Sequence, residues 1–274
     1  MAEAFAGAAD ESTVTLDDSA YAAILDRYLG ESASGINTFD YAAVTPEDRA
    51  LLRGYIAEMT ALDPTLLTGD QKIAYWSNLY NAVTLDVVLA AMPVESIRDI
   101  ELRDTGDKIA EEGVVAGVRQ VFTDDGPWKA KVVVINGLPV SLDDMEHEVL
   151  RKMGEPRVHY AVNCASYSCP DLRAEPWSAE GLDAALDAAA AEYVNHPRAV
   201  SVDDEGRLVL SSIYDWFSVD FGDTPGDVVA HLQAYATGET AGMLKAAEIS
   251  GYDYNWTLNS PDAVTAVEAD RGES

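Results

Sequence analysis

Apolar residues recur at helical spacing over much of this chain and alternate in only a few short stretches. Tyr21, Leu25 and Leu29, widened by Ile24 and Tyr28, predict a helix over Asp18 to Leu29. Gly30 to Asn37 reads as a loop. A second helix is expected from Pro46 to Leu62, with Leu51, Leu52, Tyr55, Ile56 and Met59 on one side and Asp63-Pro64 closing it. The strongest signal is Thr68 to Met92. There Thr68 can cap, Asp70 suits the first turn, and apolar residues surround the axis, so the helix should be buried on most faces until Pro93 ends it.

Further on, Glu95 to Trp128 carries charges and glycines and reads as an irregular surface excursion. Lys131 to Ile135 and Leu138 to Val140 predict a hairpin around Asn136-Gly137, a type I′ turn signal. Ser141, with Asp144 three residues on, then caps a helix whose apolar stripe is Leu142, Met145, Val149 and Met153. On an α-helical wheel Glu146 falls about 40° from Leu142, inside the stripe, and His147 about 140° away, outside it. Arg157 to Asn163 alternates, which predicts a strand carrying His159 and Asn163 on one face. Helices are expected at Ser178 to Val194, Thr224 to Tyr235 and Ala241 to Ile249. Leu208 to Ser211 should be a strand and Gly251 to Leu258 extended, with an aromatic-rich run at Ile213 to Phe221.

These elements predict an α+β fold: a single mixed domain over residues 16–259, with helices packed on a small, mainly antiparallel sheet. Residues 1–15 are expected to be a flexible N-terminus and 260–274 a disordered acidic tail. At 274 residues and 48% hydrophobic, the chain can build a sizeable core. No stretch of eighteen apolar residues occurs, so no membrane span is expected. The net charge of −30 argues against nucleic acid or an anionic membrane as partner. A small molecule or peptide remains the expected ligand.

Candidate chemistry concentrates in Arg157 to Pro170, which holds His159, Asn163 and both cysteines, Cys164 and Cys169; Glu146 and His147 lie just upstream. Thiol chemistry needs a thiolate, a base and an orienting group. Cys164 is the candidate nucleophile, His159 the base, and Glu146 or Asn81 the orienting group. Asn78, His147, Asn163 and Cys169 are candidate binding residues. Alternatively, the cysteines are small core residues or a Cys164–Cys169 disulfide, His159 is a satisfied core histidine, and the protein binds a small polar ligand without catalysis. Asn78 and Asn81, on a buried helix, must hydrogen-bond to something, either a structural network or a site. A metal site from Glu146, His159 and a thiolate lacks any recognised ligand spacing, so no metal or cofactor is assigned. His196 and His231 read as surface residues.

Five segments in order carry a family likeness: Ala74 to Ala82, Leu142 to His147, Arg157 to Pro170, Trp216 to Phe221 and Tyr254 to Asn259. With them the chain resembles the domain-of-unknown-function 547 family over roughly Asp70 to Asn259. The resemblance implies that Asn78, Asn81, Glu146, His147, His159, Asn163, Cys164 and Cys169 share one site. It brings no established reaction. Its members are often bacterial and exported, and the small-residue N-terminus looks like territory that follows a removed signal. A periplasmic or extracellular location is therefore expected; acyl transfer or hydrolysis is expected from Cys164 and His159 themselves and not from the resemblance.

Overall fold

Thr68 begins the helix around which the rest of the chain is wrapped. In the computed structural model, which describes residues 2–100, 126–222, 224–246 and 248–272, its side chain accepts from Gln71 N while Gln71 Oε1 accepts from Thr68 N at 3.0 Å. This reciprocal cap satisfies two of the donors that a helix start leaves open. The helix, α4 (Gly69–Ala91), is continuously buried from Lys72 to Val88. An element apolar on every face needs partners on every side. Here they include α3 (Pro46–Ala61), which follows α2 (Ser19–Tyr28) and starts with Thr45 capping Asp48 N at 3.1 Å. One polar link reinforces this packing: Asp86, on α4, accepts from Arg49 Nε at 3.0 Å and Arg53 Nε at 2.9 Å.

The strands form three small sheets. Antiparallel β1 (Leu29–Glu31) and β2 (Asn37–Phe39) bracket the segment expected to be a plain loop. β3 (Lys131–Ile135) and β4 (Leu138–Ser141) pair as the hairpin expected, with Asn136 at φ 50° and Gly137 at φ 76°, the left-handed pair a type I′ turn requires. β5 (Val200–Val202) pairs antiparallel with β6 (Leu208–Ser211), and β6 pairs parallel with β7 (Ile249–Asp253). The α+β class therefore holds and pairing is mainly antiparallel. The expected single sheet is replaced by separate short ones, because the core is organised by α4 and not by a sheet face.

The largest departure lies at Arg157 to Asn163. The expected strand is a 3-10 helix, Pro156–Tyr160, started by Pro156 in its first turn and by Glu155 Oε1 accepting from Arg157 N at 3.0 Å. Val158 through Asn163 are all buried, so their alternation does not separate an inner from an outer face. The helix expected after Ser141 is present, and its cap forms: Asp144 N donates to Ser141 Oγ at 3.1 Å and Ser141 N to Asp144 Oδ2 at 2.8 Å. However, Asp144–Leu150 is wound as a π-helix, with Arg151 N reaching back to Glu146 O.

Helix α5 (Leu182–Val194) starts after Gly181, four residues later than expected. The aromatic run folds as two short helices, α6 (Ile213–Trp216) and α7 (Ser218–Phe221). α8 (Pro225–Tyr235) follows a Thr224–Asp227 capping box. In α9 (Gly238–Ala246) the helix ends early, and Ile249 belongs to β7 instead. Of the Glu95 to Trp128 excursion, Ile97–Asp99 and Gly126–Lys129 are 3-10 turns, and 101–125 lie outside the described residues.

Both ends of the chain are tied down, contrary to expectation. Phe5, in the one-turn helix α1 (Ala2–Phe5), is buried edge-on against Trp76 with ring centroids 5.1 Å apart. The tail expected to be disordered instead carries α10 (Pro261–Arg271). Its Val264 is buried against Ile36 and Tyr167, and its Glu268 accepts from Ser32 Oγ and Ser34 Oγ. No helix among the described residues is long and apolar enough to cross a membrane.

Candidate functional site

The π-helix, the 3-10 turn, the cysteine loop, α6 and the segment after β7 meet around a cleft of about 260 Å³. Glu146, His147, His159, Cys164 and Cys169 all line it, with Tyr80 of α4 and an aromatic wall. In the wall Tyr254 lies 4.6 Å from Trp256 and 4.9 Å from Trp216, and Trp128 lies 5.4 Å from Trp256 (ring centroids). Such edge and tilted contacts fix ring positions without a polar partner. Trp216 remains nearly half exposed at the mouth.

His159 is held from several directions. Its ring is buried and stacks on Phe217 at 4.4 Å. Its Nε2 lies 2.8 Å from Asp220 Oδ2. Burial opposes ionisation of Asp220. The hydrogen bonds and charges of His159 and Arg151 outweigh it, and the Asp220 pKa falls to about 2. An ionised carboxylate only accepts, so the Nε2 position carries the proton. The other nitrogen, Nδ1, faces Glu146 Oε1 at 4.0 Å. Arg151 also bonds His147 Nδ1 at 2.9 Å, which leaves the His147 proton on Nε2, 3.5 Å from Asp143. The wider turn of the π-helix brings Glu146 and His147 to one cleft, where an α-helical wheel had set His147 apart.

Both cysteines are free thiols. Cys164 is partly exposed to the cleft, while Cys169, which also lines it, is only 4% exposed. Cys164 Sγ is 2.8 Å from Cys169 Sγ, 3.1 Å from Tyr254 Oη and 3.3 Å from Ser166 Oγ. Burial raises the Cys164 pKa, but hydrogen bonds from Cys169, Ser166 and Tyr254 outweigh it and the net direction is down. Cys169 moves the other way: burial, then its bond to Cys164 and the charge of that sulfur, push its thiol well above the usual range. The two thiols thus move in opposite directions.

The three asparagines stand behind the cleft and do not line it. Asn81 Nδ2 donates to Ala161 O at 2.9 Å and its Oδ1 accepts from Asn163 N at 2.8 Å. Asn78 donates to Trp177 O at 2.9 Å and accepts from Trp177 N at 2.8 Å. Asn163 clamps the cysteine loop, donating to Pro170 O at 2.7 Å and accepting from Ala165 N at 2.8 Å. That clamp supports Ala165, buried at φ 57°, a left-handed conformation that costs a residue with a Cβ about 1 kcal/mol or more. Asn81 therefore does not orient His159; Asp220 does. Asp220 and Tyr254 both sit in motifs legible in the chain. The signal that could have singled them out is a carboxylate within an apolar run and a phenol after a strand.

Among the described residues no group of three or more His, Cys, Asp or Glu is arranged to hold a metal ion. No curated protein and no solved structure matches the chain. The family comparison does match: residues 64–194, from the turn before α4 to the end of α5, fit the model described as "Protein of unknown function, DUF547". Cys164, Cys169, His159, His147 and Glu146 fall inside this span, while Asp220 and the aromatic segments at Trp216 and Tyr254 lie beyond it. The likeness seen in the motifs is thus borne out over residues 64–194, as similarity to the protein family of unknown function DUF547.

Proposed function

We propose that the cleft is the active site of a thiol enzyme performing acyl transfer or hydrolysis. The observation that carries this reading is Cys164. Its sulfur is partly open to a cleft, lies within hydrogen-bond reach of two hydroxyls and a second thiol, and shares the cleft with a histidine fixed by an ionised aspartate. In the proposed reaction His159 takes the Cys164 proton, the thiolate adds to a carbonyl carbon and the π pair moves to oxygen. Collapse expels the leaving group, which takes a proton from His159. Water, deprotonated by His159, then releases the acid and regenerates the thiol. Asp220, an ionised and half-buried partner, favours the imidazolium that forms in each half. Tyr254 Oη and Ser166 Oγ keep the thiolate solvated in a site that is otherwise largely apolar.

A pre-steady-state assay with p-nitrophenyl acetate tests this. The wild type should release a burst of nitrophenolate equal to the protein present. Cys164→Ser should abolish the burst, and His159→Gln should slow turnover by about 10²-fold or more. Equal rates for wild type and Cys164→Ser would end the proposal. The second reading, a non-catalytic binding protein, draws on the aromatic wall of Trp128, Trp216, Tyr254 and Trp256. It would then be pursued by ligand screening against Trp216→Ala.

A further inference from the structure

We propose that Cys164 and Cys169 form a dithiol couple that exchanges with disulfide substrates, Cys164 attacking and Cys169 resolving. The inference shares with the proposed acyl chemistry the nucleophilicity of Cys164 and nothing else.

Three observations carry it. First, the loop holds the two sulfurs in contact and is itself pinned from outside. Asn163 bonds Ala165 N and Pro170 O, Tyr167 N donates to Thr257 O at 2.7 Å, and Ser168 N to Asn255 O at 3.2 Å. The loop that carries both sulfurs is thus held in place with them 2.8 Å apart. Second, the pair is asymmetric. Cys164 is partly exposed at the cleft where a substrate would arrive, whereas Cys169, which also lines it, is only 4% exposed and less accessible. Third, the polar contacts divide the labour. Cys164 Sγ has two hydroxyls and the second thiol within 3.3 Å, while Cys169 Sγ receives the Cys164 backbone N–H at 2.9 Å. Two cysteines serving only as core filler would need none of these partners. The opposite pKa directions of the two thiols agree with an attacking and a resolving role.

The steps balance as follows. The Cys164 thiolate attacks one sulfur of a substrate disulfide; a Cys164–sulfur bond forms, the substrate S–S bond breaks, and one thiolate leaves and takes a proton from solvent. The Cys169 sulfur then attacks Cys164 Sγ and displaces the second thiolate, which leaves with the proton from Cys169. Two electrons pass from the protein dithiol to the substrate, and a dithiol reductant runs the sequence in reverse.

Oxidised glutathione is the probe. The full-length reduced protein is mixed with it, quenched with acid over time, and read by intact mass and peptide mapping. The wild type should pass through a short-lived single glutathione adduct and end lighter by two hydrogens, with Cys164 linked to Cys169. Cys169→Ser should accumulate the adduct on Cys164. Cys164→Ser should react about tenfold more slowly or less, since its remaining thiol is buried and protonated. A wild type that stops at a stable adduct, or a Cys164→Ser variant as reactive as wild type, would overturn the inference. Should either serine variant fail to melt cooperatively, the wild-type time course and its mapped linkage decide alone. The acyl burst, measured on the same reduced samples, separates the two readings. A burst without bridging sinks the redox couple only, and bridging without a burst sinks the acyl reaction only.

Discussion

Asn81 and Asn163 illustrate how a polar side chain can matter to a site it never touches. Asn81 satisfies both a carbonyl and an N–H on the backbone that leads from His159 to Cys164. Replacing it with alanine leaves Asn163 N without that partner inside the protein. Asn81→Ala should therefore lower unfolding stability by about 2 kcal/mol. Asn81→Asp keeps the acceptor for Asn163 N but sets a carboxylate oxygen against Ala161 O in a buried place, so it should cost at least as much. Urea unfolding of the two variants checks the order; a loss for Asn81→Ala near zero would mean that water replaces the amide. Cys164 lies at the opposite extreme. It contributes little to the core, and its importance rests on the three polar groups around its sulfur.

Several elements owe their placement to a neighbour distant in sequence. α10 covers the far side of the cysteine loop: Val264 packs on Tyr167, Arg271 sits 5.4 Å over the Tyr167 ring, and Glu268 accepts from Ser32 and Ser34. Its neighbour Asn259 ties the same region to β2, with Phe39 N donating to Asn259 O at 2.9 Å and Tyr41 Oη to Asn259 Oδ1 at 2.8 Å. Truncation after Ser260 should therefore destabilise the protein by about 2 kcal/mol, the burial of one valine. It should also speed alkylation of Cys169 by iodoacetamide in the reduced protein. An unchanged labelling rate would mean that the loop is held from the Thr257 side alone. The π-helix acts at this same level, since its wide turn delivers both Glu146 and His147 to the cleft.

For the molecule as a whole, stability should depend on pH in two windows. His196 and His231, expected at the surface, are half-buried, and burial above all lowers the pKa of each to about 4. The folded state keeps them neutral while an unfolded chain protonates them below about 6.5. Their contribution is thus full above that pH and is lost as pH falls towards 4. Asp220, with its pKa near 2, adds a second window, retained above about 4 and lost towards 2. Allowing for its partial exposure, this second loss is about 1 kcal/mol. Calorimetry from pH 8 to 3 should show the melting temperature falling first between about 6.5 and 4. A flat profile there, or an unchanged one in the His196→Gln, His231→Gln double variant, would contradict the assignment. The net charge of −30 falls as carboxylates protonate, an opposing trend that the double variant controls for.

Periodicity and local chemistry were enough to find α2, α3, α4, the β3–β4 hairpin and α8 within a few residues. Each has its own start signal, such as the Thr68 cap or Asn136-Gly137, and an apolar pattern set by one buried face or by burial all round. The residue types of the cleft were legible too, because both cysteines and His159 fall in one short run near Glu146 and His147. Four features were not legible: the 3-10 turn at Pro156–Tyr160, the π winding of Asp144–Leu150, the docking of α10, and the choice of Asp220 over Asn81 as partner of His159. Where every side is buried, alternation carries no information about faces. Where a helix is held by one valine and a glutamate, composition reads as disorder. A partner 61 residues away is chosen by the tertiary fold, and no local spacing encodes it.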